Sequence, residues 1–138
     1  MPQLKVLIAD NLASEAKARL EELGIQAHDR AGIEADDLKD VIEEFDGLIV
    51  RSRTKPDAAL ITAAKRLKVI GRAGVGVDNI DLEAAKAAGV AVVNTPSSTS
   101  LAVAEHTFAL MLSAIKNITK ADRAMKSGTW PKKELNGS

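Results

Sequence analysis

The chain has 138 residues, enough for one domain with a sizeable core, and because 46% are hydrophobic but only 2% aromatic, aliphatic side chains must fill that core. Lys plus Arg and Asp plus Glu number 19 each, so charge gives no reason to expect nucleic acid or an anionic membrane as a partner. There is no cysteine for disulfides or thiolate metal sites, "MPQLKVLIAD" turns acidic too early for a signal peptide, and no apolar run approaches the ~20 residues of a membrane span, so we expect a cytoplasmic protein with no metal site.

Short β-branched runs alternate along the chain with segments of helical periodicity. Strands are predicted at 4–9, 25–29, 47–51, 68–73 and 90–94. Helices are predicted at 14–24, 34–45, 56–67, 81–89 and roughly 100–127, with Pro56 in the first turn of the third and Asp81 capping the fourth. This alternation predicts an α/β, flavodoxin-like three-layer sandwich: a five-stranded parallel sheet of order 2-1-3-4-5 with helices on both faces.

The long helix predicted at 100–127 has a broad apolar face. That face comprises Leu101, Ala104, Phe108, Met111, Leu112 and Ile115, and it is widened by Val103, Leu110 and Ala114. One face of a sheet cannot bury so wide a surface, so a second partner is implied, either another subunit or a further domain. We expect a homodimer with this helix at the interface.

Four polar clusters follow the predicted strands, at the edge where open α/β sheets bind ligands. They are Asp10-Asn11, "RSRTK" (51–55), "GRAGVGVDN" (71–79) and "NTPSSTS" (94–100). In the second cluster, Arg51 could bind a carboxylate or phosphate bidentately, or the segment could be a solvated loop in which Thr54 caps the next helix. In the third, the glycines could bring backbone close to a ligand or could merely form a tight turn.

The glycine cluster does not fit a dinucleotide pyrophosphate loop, which requires G-x-G-x-x-G. Counting from Gly74, the third glycine is replaced by Asn79, and counting from Gly71, the second is replaced by Ala73. No acidic residue for a ribose lies about 20 residues further on. His106 is adjacent to Glu105, which places the two side chains about 100° apart on a helix, so we expect a packed or interfacial histidine rather than a catalytic one.

Three stretches taken together are recognisable: "LIVRSRTK", "VIGRAGVGVDNIDLEAAKAAGVAVVNTPSSTSLAVAEHTFALML" and "MKSGTWPKKELNG". They resemble the D-2-hydroxyacid dehydrogenase superfamily over essentially the whole chain, in the family's order and spacing. The resemblance implies a flavodoxin-like substrate-binding domain at 1–99, an interdomain or interface helix at 100–127, and a tail at 128–138 that leads into a nucleotide-binding domain lying outside these residues.

Matching positions supply the expected site. The resemblance implies that Arg51 and Ser52 bind substrate, that Gly74 and Val75 reach the substrate, and that Val75 also contacts the NAD of the parent enzyme. Asn94 begins the hinge turn. The family's catalytic Arg, Glu and His have no counterpart here, so no catalytic residue is assigned. We therefore expect the chain alone to be inactive, to bind no NAD by itself, and to bind a small anionic substrate such as 3-phosphoglycerate weakly if at all.

The same residues leave two alternatives to the substrate-binding domain just described. They are the corresponding domain of another D-2-hydroxyacid dehydrogenase and a stand-alone flavodoxin-like binding module. A flavin-binding flavodoxin is disfavoured because "DNLASEAK" contains no glycine and the chain has one Trp and no Tyr for stacking. A phosphoacceptor receiver domain requires an aspartate at the end of the third strand, where Arg51 stands.

Overall fold

The computed structural model describes residues 3–135. Its strands are β1 (Lys5–Ile8), β2 (Gln26–Asp29), β3 (Gly47–Val50), β4 (Val69–Arg72) and β5 (Ala91–Asn94). Its helices are α1 (Glu15–Glu22), α2 (Ala35–Val41), α3 (Ala58–Ala63), α4 (Leu82–Ala87), α5 (Ser100–Ile115) and α6 (Ile118–Lys126), with a 3₁₀ helix at Ile42–Glu44. All pairings are parallel in the order β2-β1-β3-β4-β5, which confirms the predicted topology.

One face of the sheet carries the main core. Leu7, Leu48 and Ile70 lie side by side in register on β1, β3 and β4 and are at most 1% exposed. They belong to a continuous apolar cluster with side chains from α2, α3 and α4, including Leu38 and Ile61. Burying each such side chain contributes about 1.5–3 kcal/mol, so this face supplies most of the cohesion of the sheet.

The opposite face becomes more exposed from the middle of the sheet towards β5. Ile8, Ile49, Gly71 and Val93 are consecutive partners across β1, β3, β4 and β5. Ile8 is 2% exposed, whereas Val93 is 54% exposed. Because α1 packs beside β2, the β4–β5 part of this face stays open.

Two of the predicted helix starts differ in their outcome. Asp81 caps α4 as predicted, since its Oδ1 accepts the N–H of Ala84 at 2.9 Å. The third helix begins at Ala58 rather than at Pro56, because the carboxylate of Asp57 accepts the N–H of Leu60 at 2.8 Å and fixes the start there. Thr54 is therefore not the cap that the solvated-loop interpretation assigned to it.

The chain divides into two compact units after Ser98. The second unit does not contain the single helix predicted at 100–127; it contains α5 and α6, separated at Lys116 and Asn117. Asn117 has φ = 51°, a left-handed conformation that ends the regular helical hydrogen-bond pattern and that asparagine tolerates better than most residues. Within residues 3–135, no helix is both long enough and apolar enough to span a bilayer.

Candidate functional site

The site is built at the carboxyl ends of β1, β3 and β4, around the carboxylate of Asp10. This side chain is 4% exposed and follows β1. Its Oδ2 accepts the N–H groups of Arg51 at 2.6 Å and of Thr54 at 3.1 Å. Its Oδ1 accepts the Thr54 hydroxyl at 2.8 Å and Nε of Arg53 at 3.2 Å. Four donors thus converge on one buried carboxylate and fix the segment that follows β3.

The charge state of Asp10 follows from the same contacts. Burial raises the pKa of its carboxyl, but the hydrogen bonds from the Arg51 N–H, from the hydroxyl and N–H of Thr54, and from Arg53 outweigh that effect. The net result is a pKa below the usual value for aspartate, so the carboxylate stays charged at neutral pH.

The two arginines of "RSRTK" have different surroundings. Arg53 has a side chain that is 47% exposed, and its guanidinium also donates to the carbonyl oxygens of Ala9 at 3.2 Å and Ile33 at 2.8 Å and lies 3.9 Å from the carboxylate of Glu34. Arg51 is exposed, and its guanidinium donates only a long hydrogen bond of 3.4 Å to the carbonyl oxygen of Asn11. Arg51 therefore has more donors left for a ligand than Arg53 has.

The glycine loop is tied to the end of β5. The N–H of Thr95 donates to the carbonyl oxygen of Gly74 at 3.0 Å, and the side-chain amide of Asn94 donates to that of Val75 at 2.5 Å. Gly74 has φ = 157°, and a Cβ built there would lie 1.4 Å from Nη1 of Arg72, so the Arg72 guanidinium occupies the space that a side chain would take. The requirement for glycine at this position is thus a matter of packing as well as conformation.

Several backbone donors in this loop have no partner within residues 3–135, and two of them lie directly after Gly74. These two are the N–H groups of Val75 and Gly76. The Val75 side chain beside them is 45% exposed. This combination of open N–H groups and an apolar side chain at the carboxyl edge of the sheet suits contact with a small molecule.

An open cleft of about 580 Å³ lies at this edge of the sheet, and the predicted ligand residues Gly74 and Val75 are not among the residues that line it. Its floor is the uncovered sheet face, formed by Ile49, Gly71 and Val93, and its wall beside α1 is apolar. Its polar lining residues are Arg51, Arg72, Asn94, Thr95 and Ser98. The cleft therefore combines an apolar floor with two arginines, an arrangement suited to a small anion with a short carbon skeleton.

Of the residues predicted to bind ligands, Arg51 lines this cleft. Ser52 is exposed beside it, and Gly74 is buried under Arg72 in the neighbouring loop. No role is predicted for Arg72 from the sequence, although an arginine near the end of a predicted strand and inside a glycine-rich segment is a signal that could have suggested one. Arg72 lines the same cleft, and its Nε is buried without a hydrogen-bond partner among the described residues.

Asn79 is the second residue that the sequence did not single out. It was noted only as the position that breaks the dinucleotide motif. In the structure its side-chain amide donates to the carbonyl oxygens of Arg51 at 2.8 Å and Thr54 at 2.7 Å. Asn79 thus joins the glycine-rich segment to the segment after β3.

The remaining candidates lie outside this arrangement. His106 is an exposed residue of α5 in the second unit. Within residues 3–135, no group of three or more His, Cys, Asp or Glu side chains could hold a metal ion.

Comparison with known proteins places this geometry in a family. The family model of the D-isomer specific 2-hydroxyacid dehydrogenases, catalytic domain, matches residues 6–127. The D-3-phosphoglycerate dehydrogenases of Archaeoglobus fulgidus and Methanocaldococcus jannaschii are 43% and 46% identical to the chain over 134 residues. Each match covers 97% of the chain and 25% of the relative. The chain therefore spans about a quarter of the length of these curated relatives.

A hydroxypyruvate reductase from Thermotoga maritima is also similar, at 42% identity over 99% of the chain and 45% of its own length. Among solved structures, TT0316 from Thermus thermophilus superposes with a TM-score of 0.83 at 32% identity, covering 97% of the chain and 45% of that protein. The NAD⁺-bound 3-phosphoglycerate dehydrogenase of Entamoeba histolytica superposes with a TM-score of 0.72 at 31% identity, covering 83% of the chain and 40% of that enzyme. The fold and the sequence thus point to the same family.

Proposed function

The chain belongs to the family of D-isomer specific 2-hydroxyacid dehydrogenases, and we propose that it is the substrate-binding part of an NAD-dependent D-3-phosphoglycerate dehydrogenase. In this proposal the parent enzyme oxidises 3-phosphoglycerate to 3-phosphohydroxypyruvate, a step of serine biosynthesis. Support comes from seven similar proteins that carry the name D-3-phosphoglycerate dehydrogenase at 41–46% identity.

The observation that carries the proposal is the pair of arginines lining one cleft. 3-Phosphoglycerate has a carboxylate at one end and a phosphate at the other, and a guanidinium binds either group through two parallel hydrogen bonds. Arg51 is exposed with few internal contacts, and Arg72 presents its guanidinium from the adjacent strand end. Two cationic groups on one cleft suit a substrate with two anionic groups better than one with a single carboxylate.

Each of the other predicted ligand residues has a place in this proposal. Ser52 lies directly after Arg51 and offers a hydroxyl to the same anion. Gly74 and Val75 bring backbone to the substrate, because the open N–H groups of Val75 and Gly76 are donors for a carboxylate or carbonyl oxygen.

The cofactor of the parent enzyme is proposed to be NAD, which when bound supplies the hydride acceptor. The described residues fit only its nicotinamide end, through the half-exposed side chain of Val75 and the open N–H groups beside it. They do not offer a G-x-G-x-x-G loop for the pyrophosphate. We therefore propose that the 138 residues hold no NAD by themselves and leave the nucleotide to the rest of the parent enzyme.

A second candidate is the reduction of hydroxypyruvate, which the Thermotoga maritima relative favours. Hydroxypyruvate and its product glycerate have a carboxylate but no phosphate. On that substrate only one of the two arginines would have an anionic partner, which makes it the weaker match to the cleft.

We also propose that the parent protein is a homodimer and that α5 and α6 lie at its interface. On α5, Leu101, Phe108 and Leu112 lie on one side of the helix, whereas Val103 and Leu110 lie on the opposite side, and all five are 55–74% exposed. A helix that is apolar on opposite sides packs between two neighbours. A second copy of the chain is the neighbour we propose for one of them.

The choice of substrate can be tested by titrating the chain with 3-phosphoglycerate and with D-glycerate while recording amide chemical shifts. With 3-phosphoglycerate we expect shifts at Arg51, Arg72 and Val75 and a millimolar Kd, which corresponds to a binding free energy of about −4 kcal/mol. D-glycerate should bind about tenfold more weakly, because it lacks the phosphate that one guanidinium pairs with. Equal affinity for the two compounds would favour hydroxypyruvate reduction, and shifts confined to the second unit would exclude the cleft.

A further inference from the structure

The segment Arg51–Thr54, here called the RSRT loop, is held at both ends by two side chains. The N–H groups of Arg51 and Thr54 both donate to Oδ2 of Asp10, at 2.6 and 3.1 Å. The carbonyl oxygens of the same two residues both accept from the side-chain amide of Asn79, at 2.8 and 2.7 Å. Asp10 therefore satisfies the donors of the two ends of the loop, and Asn79 satisfies their acceptors.

We propose that Asp10 and Asn79 are a pair of positioning residues that fix the RSRT loop and thereby set where the guanidinium of Arg51 meets the substrate. This inference rests on the proposed function, because it assigns a role to Asn79 and Asp10 only if Arg51 binds an anion. Neither side chain lines the cleft, and both act through Arg51.

The position of Arg51 depends on its backbone more than on its side-chain contacts. Its guanidinium has a single internal hydrogen bond, the 3.4 Å contact with the carbonyl oxygen of Asn11. Because so few contacts hold this side chain, the position of its Cα determines whether the guanidinium reaches the cleft. The four hydrogen bonds at the ends of the RSRT loop, from 2.6 to 3.1 Å, fix that placement.

The side-chain amide of Asn79 combines one group that is unfavourable for stability with two hydrogen bonds to the RSRT loop. Its Oδ1 is buried and has no hydrogen-bond partner among the described residues. An unpaired buried oxygen is unfavourable for stability, whereas the two hydrogen bonds donated by the amide nitrogen of Asn79 are favourable. Both of them go to the RSRT loop.

Asn79 also connects the two arginine-bearing segments. It ends the glycine-rich segment 71–79, which contains Arg72 and Gly74. The backbone of that segment is joined to β3 at Ala73, whose N–H donates to the carbonyl oxygen of Val50 at 2.9 Å. Asn79 thus fixes the loop that bears Arg51 relative to the loop that bears Arg72. A substrate with two anionic ends requires such a fixed spacing of the two arginines.

The test is a double-mutant cycle on 3-phosphoglycerate binding, with Asn79→Ala and Arg51→Ala made singly and together. The matched control is Asp81→Ala, which also removes a side chain that hydrogen-bonds backbone but which caps α4 and does not touch the RSRT loop. We expect Asn79→Ala to raise Kd about three- to tenfold and Asp81→Ala to leave it unchanged. In the Arg51→Ala background, Asn79→Ala should cause no further loss. Additive losses in the double variant, or unchanged affinity in Asn79→Ala, would overturn the proposal.

A second measurement separates this proposal from the proposed function. If the wild-type chain binds no 3-phosphoglycerate, the proposed function loses the support of this cleft, and the order of the Arg51 side chain in the ligand-free protein decides separately whether Asn79 positions it. Relaxation of the Arg51 Nε–H group should report greater motion in Asn79→Ala than in the wild type or in Asp81→Ala, and equal motion in all three would reject the role. If Asn79→Ala does not fold, Asp10→Asn, which keeps the side-chain shape and one acceptor oxygen, takes its place in both measurements with the same expected outcomes.

Discussion

The role of a polar residue in this protein depends on how many of its polar groups already form hydrogen bonds within the fold. Arg53 and Arg51 are two positions apart, yet one is bound to Asp10 and to backbone carbonyls while the other has a single long contact. A carboxylate at the opposite edge of the sheet, Asp46, is as buried as Asp10. It accepts the N–H of Lys5 at 3.1 Å and pairs with Lys68 at 3.1 Å and Arg66 at 3.3 Å.

The two buried aspartates predict how stability depends on pH. The hydrogen bond from Lys5 lowers the pKa of Asp46, burial opposes it, and Lys68 and Arg66 lower it further; the pKa of Asp10 is also lowered. Because both pKa values are lower in the folded than in the unfolded protein, the stabilisation is complete above the unfolded value of about 4 and is lost as the pH falls through the folded values.

We therefore expect Asp10→Asn and Asp46→Asn each to lower the free energy of unfolding by about 1–3 kcal/mol at pH 7. The difference from the wild type should shrink when urea unfolding is repeated near pH 3. Glu22→Gln, which changes an exposed carboxylate paired with Arg19, should have little effect at either pH. If the loss of unfolding free energy in Asp10→Asn and Asp46→Asn did not change with pH, this explanation would be contradicted.

Gly74 gives a prediction that concerns binding more than stability. A methyl group at this position would collide with the guanidinium of Arg72, whereas one at Gly47, at the other end of β3 from the cleft, would meet Cγ2 of Val6 at 3.0 Å. We expect Gly74→Ala to displace Arg72 and to weaken 3-phosphoglycerate binding about tenfold, and Gly47→Ala to change it by less than about threefold. Titration of both variants measures this, and similar losses in the two would show that the collision with Arg72 is not the cause.

At this scale the sequence could predict the place of the site but not the identity of all its residues. Strand ends followed by polar clusters located Arg51 and Ser52 at the binding edge. They could not show that Arg53 binds Asp10 and two backbone carbonyls or that Asn79 reaches back to the RSRT loop, because both depend on contacts between residues 20 to 44 positions apart.

The five strands were predicted correctly in number and order, whereas the helices differ from the prediction at their ends and at the break between α5 and α6. The helix predicted at 34–45 is α2 followed by a 3₁₀ helix, and the helix predicted at 56–67 is shortened to α3. Hydrophobic periodicity continues smoothly through each of these segments, so it does not reveal where capping hydrogen bonds end them. The break between α5 and α6 is of the same kind, since a left-handed residue leaves the apolar pattern intact.

The break at Asn117 can be tested by substitution. Asn117→Ala should destabilise the chain by about 1–2 kcal/mol, because alanine is unfavourable in the left-handed conformation, whereas Asn117→Gly should not. Thermal unfolding followed by circular dichroism compares the two. If Asn117→Ala were as stable as the wild type and more helical, α5 and α6 would form the single helix that the sequence pattern predicted.

The whole chain consists of a sheet unit and a helical unit with opposite surface properties. The sheet unit buries most of its large apolar side chains in a cluster with α2, α3 and α4. In the second unit, the large apolar side chains from Leu101 to Trp130 are 46–74% exposed. Exposed apolar surface of this kind is typical of interaction sites, which is the basis of the interface proposed above. The proposal can be probed on the chain itself.

We expect light scattering to give a mass about twice the 14.6 kDa of one chain at high micromolar concentration. Leu112→Glu should restore the monomer mass, because it places a charge on the apolar side of α5 that also bears Phe108. Lys120→Glu, which reverses a charge on an already exposed position of α6, should leave the mass unchanged. A wild-type mass near that of one chain would remove the proposed interface.

The claim that this cleft binds an anion with two charged ends is tested most directly by removing its arginines one at a time. Arg51→Ala, Arg72→Ala and the control Arg66→Ala, which alters an arginine at the opposite edge of the sheet, are titrated with 3-phosphoglycerate and with D-glycerate. We predict that each cleft variant binds 3-phosphoglycerate at least about tenfold more weakly, that Arg66→Ala binds it like the wild type, and that one of the two cleft variants leaves D-glycerate binding unchanged because its arginine pairs with the phosphate. Wild-type affinity for 3-phosphoglycerate in both Arg51→Ala and Arg72→Ala would contradict the account.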